Sequence, residues 1–363
     1  MRAALLLCVL AAAAAAPSAG VGNRLAPTAA RATTACTLPA VLPPSALTAG
    51  MHGTGYTVLH GRTISPFPVE ILGVLPDGIA PGLDFILIKA PGGIAAGYSG
   101  SPVYVNGKLI GAVSYGLFSD DNTIGGVTPA GPMIALLGYP SAEASLAKTV
   151  AKKRTVPLSP KLRVAAAQAA GVGVAAVPLA ARHLAVPLAV SGLNDRAMTR
   201  LSDIFARNGV DVTAFRSGTA ALPTTATTAP LFRGSSFAAT ISYGDLTFGG
   251  IGTTTLSCGG QTLAFGHPMD FSGQALMGMN AADVLTVVPS AFGSYKLANV
   301  AELRGTVDQD RLAGLRGVSG RLPALTKVTS TVSNTDLDRS RDGETDVVTP
   351  DYIPLVSAFH VLS

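Results

Sequence analysis

The reading of this chain turns on Gly97-Tyr98-Ser99-Gly100-Ser101-Pro102 and the run that follows it, Val103-Tyr104-Val105-Asn106-Gly107-Lys108-Leu109-Ile110-Gly111-Ala112-Val113. Asn106-Gly107 stands between two Val-rich runs. Both residues tolerate the positive φ of a type I′ turn, so the second stretch predicts a β-hairpin. The first stretch is a tight Gly/Ser turn just ahead of it. A serine nucleophile needs such a turn, which exposes its hydroxyl and aims backbone N–H groups at the oxygen that becomes negative in acyl transfer. Ser99 is the candidate nucleophile, and the N–H groups of Gly97 and Ser99 are the candidate oxyanion hole. A plain Gly/Ser hairpin loop is the competing reading.

Outward from the hairpin the pattern stays extended. Tyr56–His60, Val69–Val74 and Phe85–Lys89 read as strands, with Pro76-Asp77-Gly78 and Pro81-Gly82 as turn residues between them. Strands return at Ser236–Ser242, Thr253–Ser257, Thr262–Phe265 and Val284–Val288. Residues 141–232 differ. They hold a basic helical connector near Ala142–Arg154, a strand at Leu188–Val190 and an extended run at Val210–Phe215. Between those last two, Asn194–Asn208 carries Met198, Leu201, Ile204 and Phe205 at helical spacing. A Thr/Ala/Pro linker follows around Ala221–Pro230. The expected fold is mainly β with a small α/β insert at 141–232, between two β-barrel-like halves at 38–140 and 233–322. A tail at 323–363 includes an expected exposed acidic loop, Asp336–Asp346.

Composition narrows the function. The 363 residues allow two or three domains, and 48% hydrophobic with only 13% charged residues excludes a charge-rich disordered chain or a coiled coil. The net charge is +5, yet no basic run exceeds Lys152-Lys153-Arg154, which argues against nucleic acid. Arg2, the apolar run Ala3–Ala16 and the small residues after it read as a signal peptide over 1–20, with a flexible lead-in over 21–37. That run is shorter than the ~20 residues a membrane span needs. No later segment reaches that length without Gly, Pro or charge, so a secreted or cell-envelope protein with no stable membrane span is expected. Cys8 leaves with the signal. Cys36 and Cys258 remain as a candidate disulfide in an oxidising compartment. There is no Cys-x-x-Cys, no His-Glu-x-x-His and no His/Cys cluster, so neither metal nor cofactor is expected.

A serine nucleophile needs a base, and the chain has five histidines. His267, in Leu263-Ala264-Phe265-Gly266-His267-Pro268-Met269-Asp270, closes an expected strand, a place where a scaffold can hold an imidazole at a cleft. His52 and His60 precede the serine and are the fallback. His183 falls in the insert and His360 in an apolar stretch of the tail.

The chain from Gly53 to Pro129 resembles the peptidase S55 family. The matching stretches are Gly53-Thr54-Gly55-Tyr56-Thr57-Val58, residues 67–74, residues 93–102, Lys108-Leu109-Ile110-Gly111-Ala112-Val113 and Gly125-Gly126-Val127-Thr128-Pro129. The family usually reads Gly-Met-Ser-Gly-Ser-Pro, so Tyr98 departs at a position whose side chain does no chemistry. The resemblance implies a fold related to the chymotrypsin-type proteases, Ser99 as nucleophile and a polypeptide substrate. In the family a Gly-x-Gly-Thr strand precedes a Leu-Gly-His segment with the catalytic histidine. Gly250-Ile251-Gly252-Thr253 and His267 are similar to these, and residues 305–311 and 314–317 resemble a further family stretch. There the histidine block precedes the serine block; here it comes later, like a circular rearrangement. Triad geometry does not depend on chain order.

For the acid, Asp84 leads Ser99 by a distance similar to that of the family's aspartate, although Gly82-Leu83-Asp84-Phe85-Ile86 also suits a strand start. Asp270 is the alternative acid, with Asp245 behind it. The expected function is an exported serine endopeptidase of S55 type acting through an acyl-enzyme on Ser99. The alternative is a catalytically inactive exported β-barrel module that binds in the cell envelope. An esterase ranks last, since Gly-x-Ser-x-Ser-Pro matches the Gly-x-Ser-x-Gly elbow poorly.

Overall fold

Apolar runs punctuated by glycine fold mainly into strands in the computed structural model, which describes residues 36–117, 122–141, 155–270, 273–290, 293–336 and 338–363. The expected signal peptide, most of the lead-in and the expected helical connector at Ala142–Arg154 lie outside the described residues. In the first half, β1 (His52–His60), β2 (Thr63–Ala80), β3 (Leu83–Lys89), β4 (Pro102–Val105), β5 (Lys108–Gly116) and β6 (Ile124–Pro129) pair in the order β4-β1-β2-β3-β6-β5. A further β4–β5 pairing closes these six strands into a ring, so no edge is left open within it. The β4–β5 reversal is the Asn106-Gly107 turn, with φ of 50° and 73°, as the dipeptide predicts. Ile71, Ile86, Ile88, Val103, Val113 and Val127 fill one core cluster of this half.

The helix α1 (Ala130–Ala135) closes the first half. Next come β7 (Thr155–Pro157), α2 (Pro160–Ala170) and β8 (Ala180–His183), and β8 extends the first sheet by pairing with β5 at Tyr115↔His183. The Ser159 hydroxyl caps α2 by accepting the Leu162 N–H, and Gly171 ends it in the left-handed region. Then β9 (Val186–Val190), α3 (Asp195–Arg207) and β10 (Val212–Arg216) form a parallel unit on the other sheet. Asn194 caps α3 by accepting the Ala197 N–H at 3.0 Å, and the helix buries Ala197, Leu201 and Phe205. The expected insert is therefore shared between the two sheets.

The second half repeats the closure. Its strands are β11 (Ser236–Gly244), β12 (Phe248–Cys258), β13 (Gln261–Ala264), β14 (Gly273–Val288), β15 (Tyr295–Arg311) and β16 (Gly314–Ser319). They run β12-β13-β16-β15-β14-β11, and a β12–β11 pairing completes the ring. The chain past Leu322 corrects the expected acidic loop. β17 (Thr326–Asn334) and β18 (Arg339–Val347) make a hairpin, joined to the second sheet by β11–β18 pairing and packed under α4 (Ile353–His360).

Several contacts tie the halves together. Backbone bridges join Gly61 to Val284 and Ala96 to Tyr295. The fully buried Arg316 guanidinium pairs bidentately with Asp308 and also donates to the carbonyls of Leu136 and Tyr139 at the end of the first half. A Cys36–Cys258 disulfide fastens the start of the described chain to the end of β12, with Cα atoms 5.2 Å apart. Among the described residues no helix is long and apolar enough to cross a membrane.

Candidate active site

The serine loop is held from both halves. Tyr98 N–H donates to Ala95 O, Ser101 N–H to Tyr98 O and Gly100 N–H to Val113 O, at 2.8 to 2.9 Å. From β12, Thr253 N–H donates to Ser99 O and Thr253 Oγ1 donates to Gly97 O, each at 2.8 Å. Two of its glycines are obligatory. Gly97 and Gly100 have φ of +90° and +95°, and a Cβ on Gly100 would sit 1.9 Å from Thr253 O. Gly97 N–H and Ser99 N–H have no protein acceptor among the described residues, as a waiting oxyanion hole requires.

His267 is aimed by an unusual turn. Gly266 N–H bonds Ala264 O at 2.8 Å across Phe265, whose φ is +68°. This is a γ-turn, strained for an aromatic residue, and the fully buried Phe265 ring fixes it against Phe237. Beyond the histidine, the buried Asp310 carboxylate accepts the N–H groups of Met269 and Asp270 at 3.0 and 2.8 Å. The loop is thus gripped on both sides of the ring.

The result is a hydroxyl–imidazole pair across the two halves. Ser99 Oγ lies 2.7 Å from His267 Nε2, and His267 Nδ1 lies 2.7 Å from Pro268 O. A carbonyl oxygen only accepts, so Nδ1 carries the proton; in the neutral ring Nε2 is then free to accept from the serine hydroxyl. Chemically, the arrangement can take the proton from Ser99 as the hydroxyl attacks a carbonyl. Both side chains are buried, at 1% exposure. The His183 ring stacks on His267 at 5.0 Å and 14°, its Nε2 is 3.0 Å from Tyr115 Oη, and the Phe265 edge covers another side.

One more charged group lies against the serine loop. Lys296 of β15 is fully buried, with Nζ 2.7 Å from Thr57 Oγ1, 3.0 Å from Thr253 Oγ1 and 5.4 Å from the Tyr98 ring centre. Desolvation lowers its pKa to about 7. Burial pushes the Tyr98 phenol up to about 12. Next to the loop is a cavity of about 290 Å³ lined by Gly93, Ile94, Ala95, Tyr98, Val287 and Ser294, among others, with no charged side chain among the described residues of its wall.

Of the residues singled out from the sequence, Ser99 and His267 are brought together. Asp84 is not bonded to His267; its Oδ1 accepts the Asp77 N–H at 3.0 Å and ties the β2–β3 turn, the strand-start role its local sequence also suited. Asp270 sits in the His267 loop and gives its N–H to Asp310, while Asp245 accepts the Glu344 N–H far along the second sheet. His60 Nδ1 bonds Leu285 O, His52 lies exposed at the start of β1, and His360 bonds Ser330 and Thr345. Sequence reasoning missed three residues, His183, Lys296 and Asp310. Only Asp310 carried a signal, since it falls within the family-like stretch at 305–311. Among the described residues no group of three or more His, Cys, Asp or Glu is placed to hold a metal.

Residues 55–134, from β1 to α1 and including Ser99, match the family model described as SpoIVB peptidase S55. The match supports a serine peptidase, and so a hydrolase, of the SpoIVB type. His267 lies outside the matched residues. No curated protein and no solved structure gives a match.

Proposed function

We propose that this protein is an exported serine endopeptidase that cleaves through an acyl-enzyme on Ser99. The observation that carries this reading is the 2.7 Å contact of Ser99 Oγ with a His267 ring whose other nitrogen is fixed as a donor. His267 Nε2 takes the Ser99 proton as Oγ attacks the scissile carbonyl, then gives it to the leaving amine. The N–H groups of Gly97 and Ser99 receive the oxyanion. A water molecule deacylates Ser99 with the same base. The cavity beside Tyr98, whose described lining residues carry no charge, suits an uncharged side chain next to the scissile bond. Export is supported by the Ala3–Ala16 run and by a disulfide that needs an oxidising compartment.

A second reading rests on the burial of both side chains at 1%. On this reading the pair is a structural remnant in a binding module of the cell envelope. Fluorophosphonate labelling decides between them. The wild type should label at Ser99, Ser99→Ala should not, and His267→Ala should lose about 10⁴-fold or more in rate. Absence of label in the folded wild type would leave the binding module standing.

A further inference from the structure

We propose that Lys296 is a positioning residue of the oxyanion hole: its backbone N–H holds the Ala96–Gly97 peptide that carries the Gly97 N–H, and its ammonium keeps the Thr253 hydroxyl proton on the Gly97 carbonyl of the next peptide. This rests on the peptidase reading above and adds a control element to that same site. The geometry comes from two peptide planes. Lys296 N–H donates to Ala96 O at 3.0 Å. In a trans peptide the C=O and N–H point opposite ways, so the Gly97 N–H is turned away from β15. The next plane is set by the side chain. Thr253 Oγ1 donates its one proton to Gly97 O and accepts from Lys296 Nζ, which also donates to Thr57 Oγ1. The aliphatic stem of Lys296 fills the space that a Cβ on Gly97 would occupy, with stem carbons 3.0 to 3.1 Å from that position. One residue of the second half thus shapes both planes around a residue of the first.

The charge state matters because a hydroxyl has only one proton. An ammonium has three donors and no lone pair, so it can only push the Thr253 proton toward Gly97 O. A neutral amine has a lone pair that competes for that proton and so weakens the bond from Thr253 to the Gly97 carbonyl. Burial places this change near neutrality, at about 7. The groups facing the amine are Thr57 on β1, Thr253 on β12 and the Tyr98 ring on the serine loop. Tyr98 stays neutral there, since burial raises its phenol to about 12. No carboxylate among the described residues pairs with Lys296, and desolvation is the one cause of its lowered pKa.

The test measures the rate of fluorophosphonate labelling of Ser99, from mildly acidic to mildly alkaline pH, in wild type, Lys296→Met and Thr253→Val. The wild-type rate should fall on the alkaline side through the Lys296 titration. Both variants should label roughly 10–100-fold more slowly, less than the ~100–1000-fold of losing an oxyanion donor outright, and Lys296→Met should lose the alkaline limb. A second readout is the Gly97 amide NMR shift in Ser99→Ala protein, which should titrate near neutrality and stop doing so when Lys296→Met is added. An unlabelled wild type would sink the peptidase reading while the amide titration still decided this one. Retention of the wild-type limb and rate by Lys296→Met, or a Gly97 amide that ignores pH with Lys296 in place, would overturn it.

Discussion

At the single residue, the carbonyl of Pro268 lies 2.7 Å from His267 Nδ1, the nitrogen that a triad carboxylate would face. It fixes the tautomer of His267 as well as an aspartate could, because one hydrogen bond to Nδ1–H suffices. It carries no net charge, so it does less for the imidazolium that forms during attack. A buried anion, Asp310, grips the residues just after the ring. Asp84→Asn should therefore leave kcat/KM within about threefold, in the range of ordinary surface changes. Asp310→Asn should lower kcat about tenfold or more and cost a few kcal/mol of stability, since bonds to a charged acceptor are worth ~1.5–3 kcal/mol each. Labelling rates and urea melts of the two variants check both statements. A large loss in Asp84→Asn alone would restore it as the acid.

Elements show what could be read in advance and what could not. The β4–β5 hairpin was legible because a type I′ turn is decided by two adjacent residues. The helix α3 was legible because its apolar stripe repeats every turn. By contrast, Arg339–Val347 has no alternating apolar face and became a strand only because β17 and β11 pair with it. Lys296 looks like any polar strand residue; its burial comes from β1 and β12, distant in sequence. His183 was equally hidden, on a four-residue strand that reaches His267 only through its pairing with β5. That strand acts as a cover on the His267 ring. His183→Ala should expose one face of the His267 ring and raise its modification rate by diethylpyrocarbonate severalfold, read by mass spectrometry. An unchanged rate would mean that β8 shields nothing.

In the whole molecule, the buried ammonium sets activity against stability. Folding lowers the Lys296 pKa from its ordinary 10.5 to about 7. Between those values the unfolded chain binds more protons than the native one, so this group makes stability rise with pH across that window. Below it the full penalty of a buried cation applies. Lys296→Met should therefore be more stable than wild type at and below neutrality, by a margin on the order of a few kcal/mol. That margin should shrink as the pH climbs toward the unfolded value. Urea denaturation of both proteins over this range measures it, and a constant difference would show that the lysine keeps its proton throughout.

Ser99 and the imidazole it meets, His267, stand 168 positions apart in the chain, with the serine first. During synthesis the residues of the first ring are made while His267 has yet to be translated. A serine peptidase in that interval would hold a nucleophile without its base, and so would pose no hazard to its neighbours. On the peptidase reading, hydrolytic power is among the last things synthesis confers, and the order of the two rings is itself a safeguard.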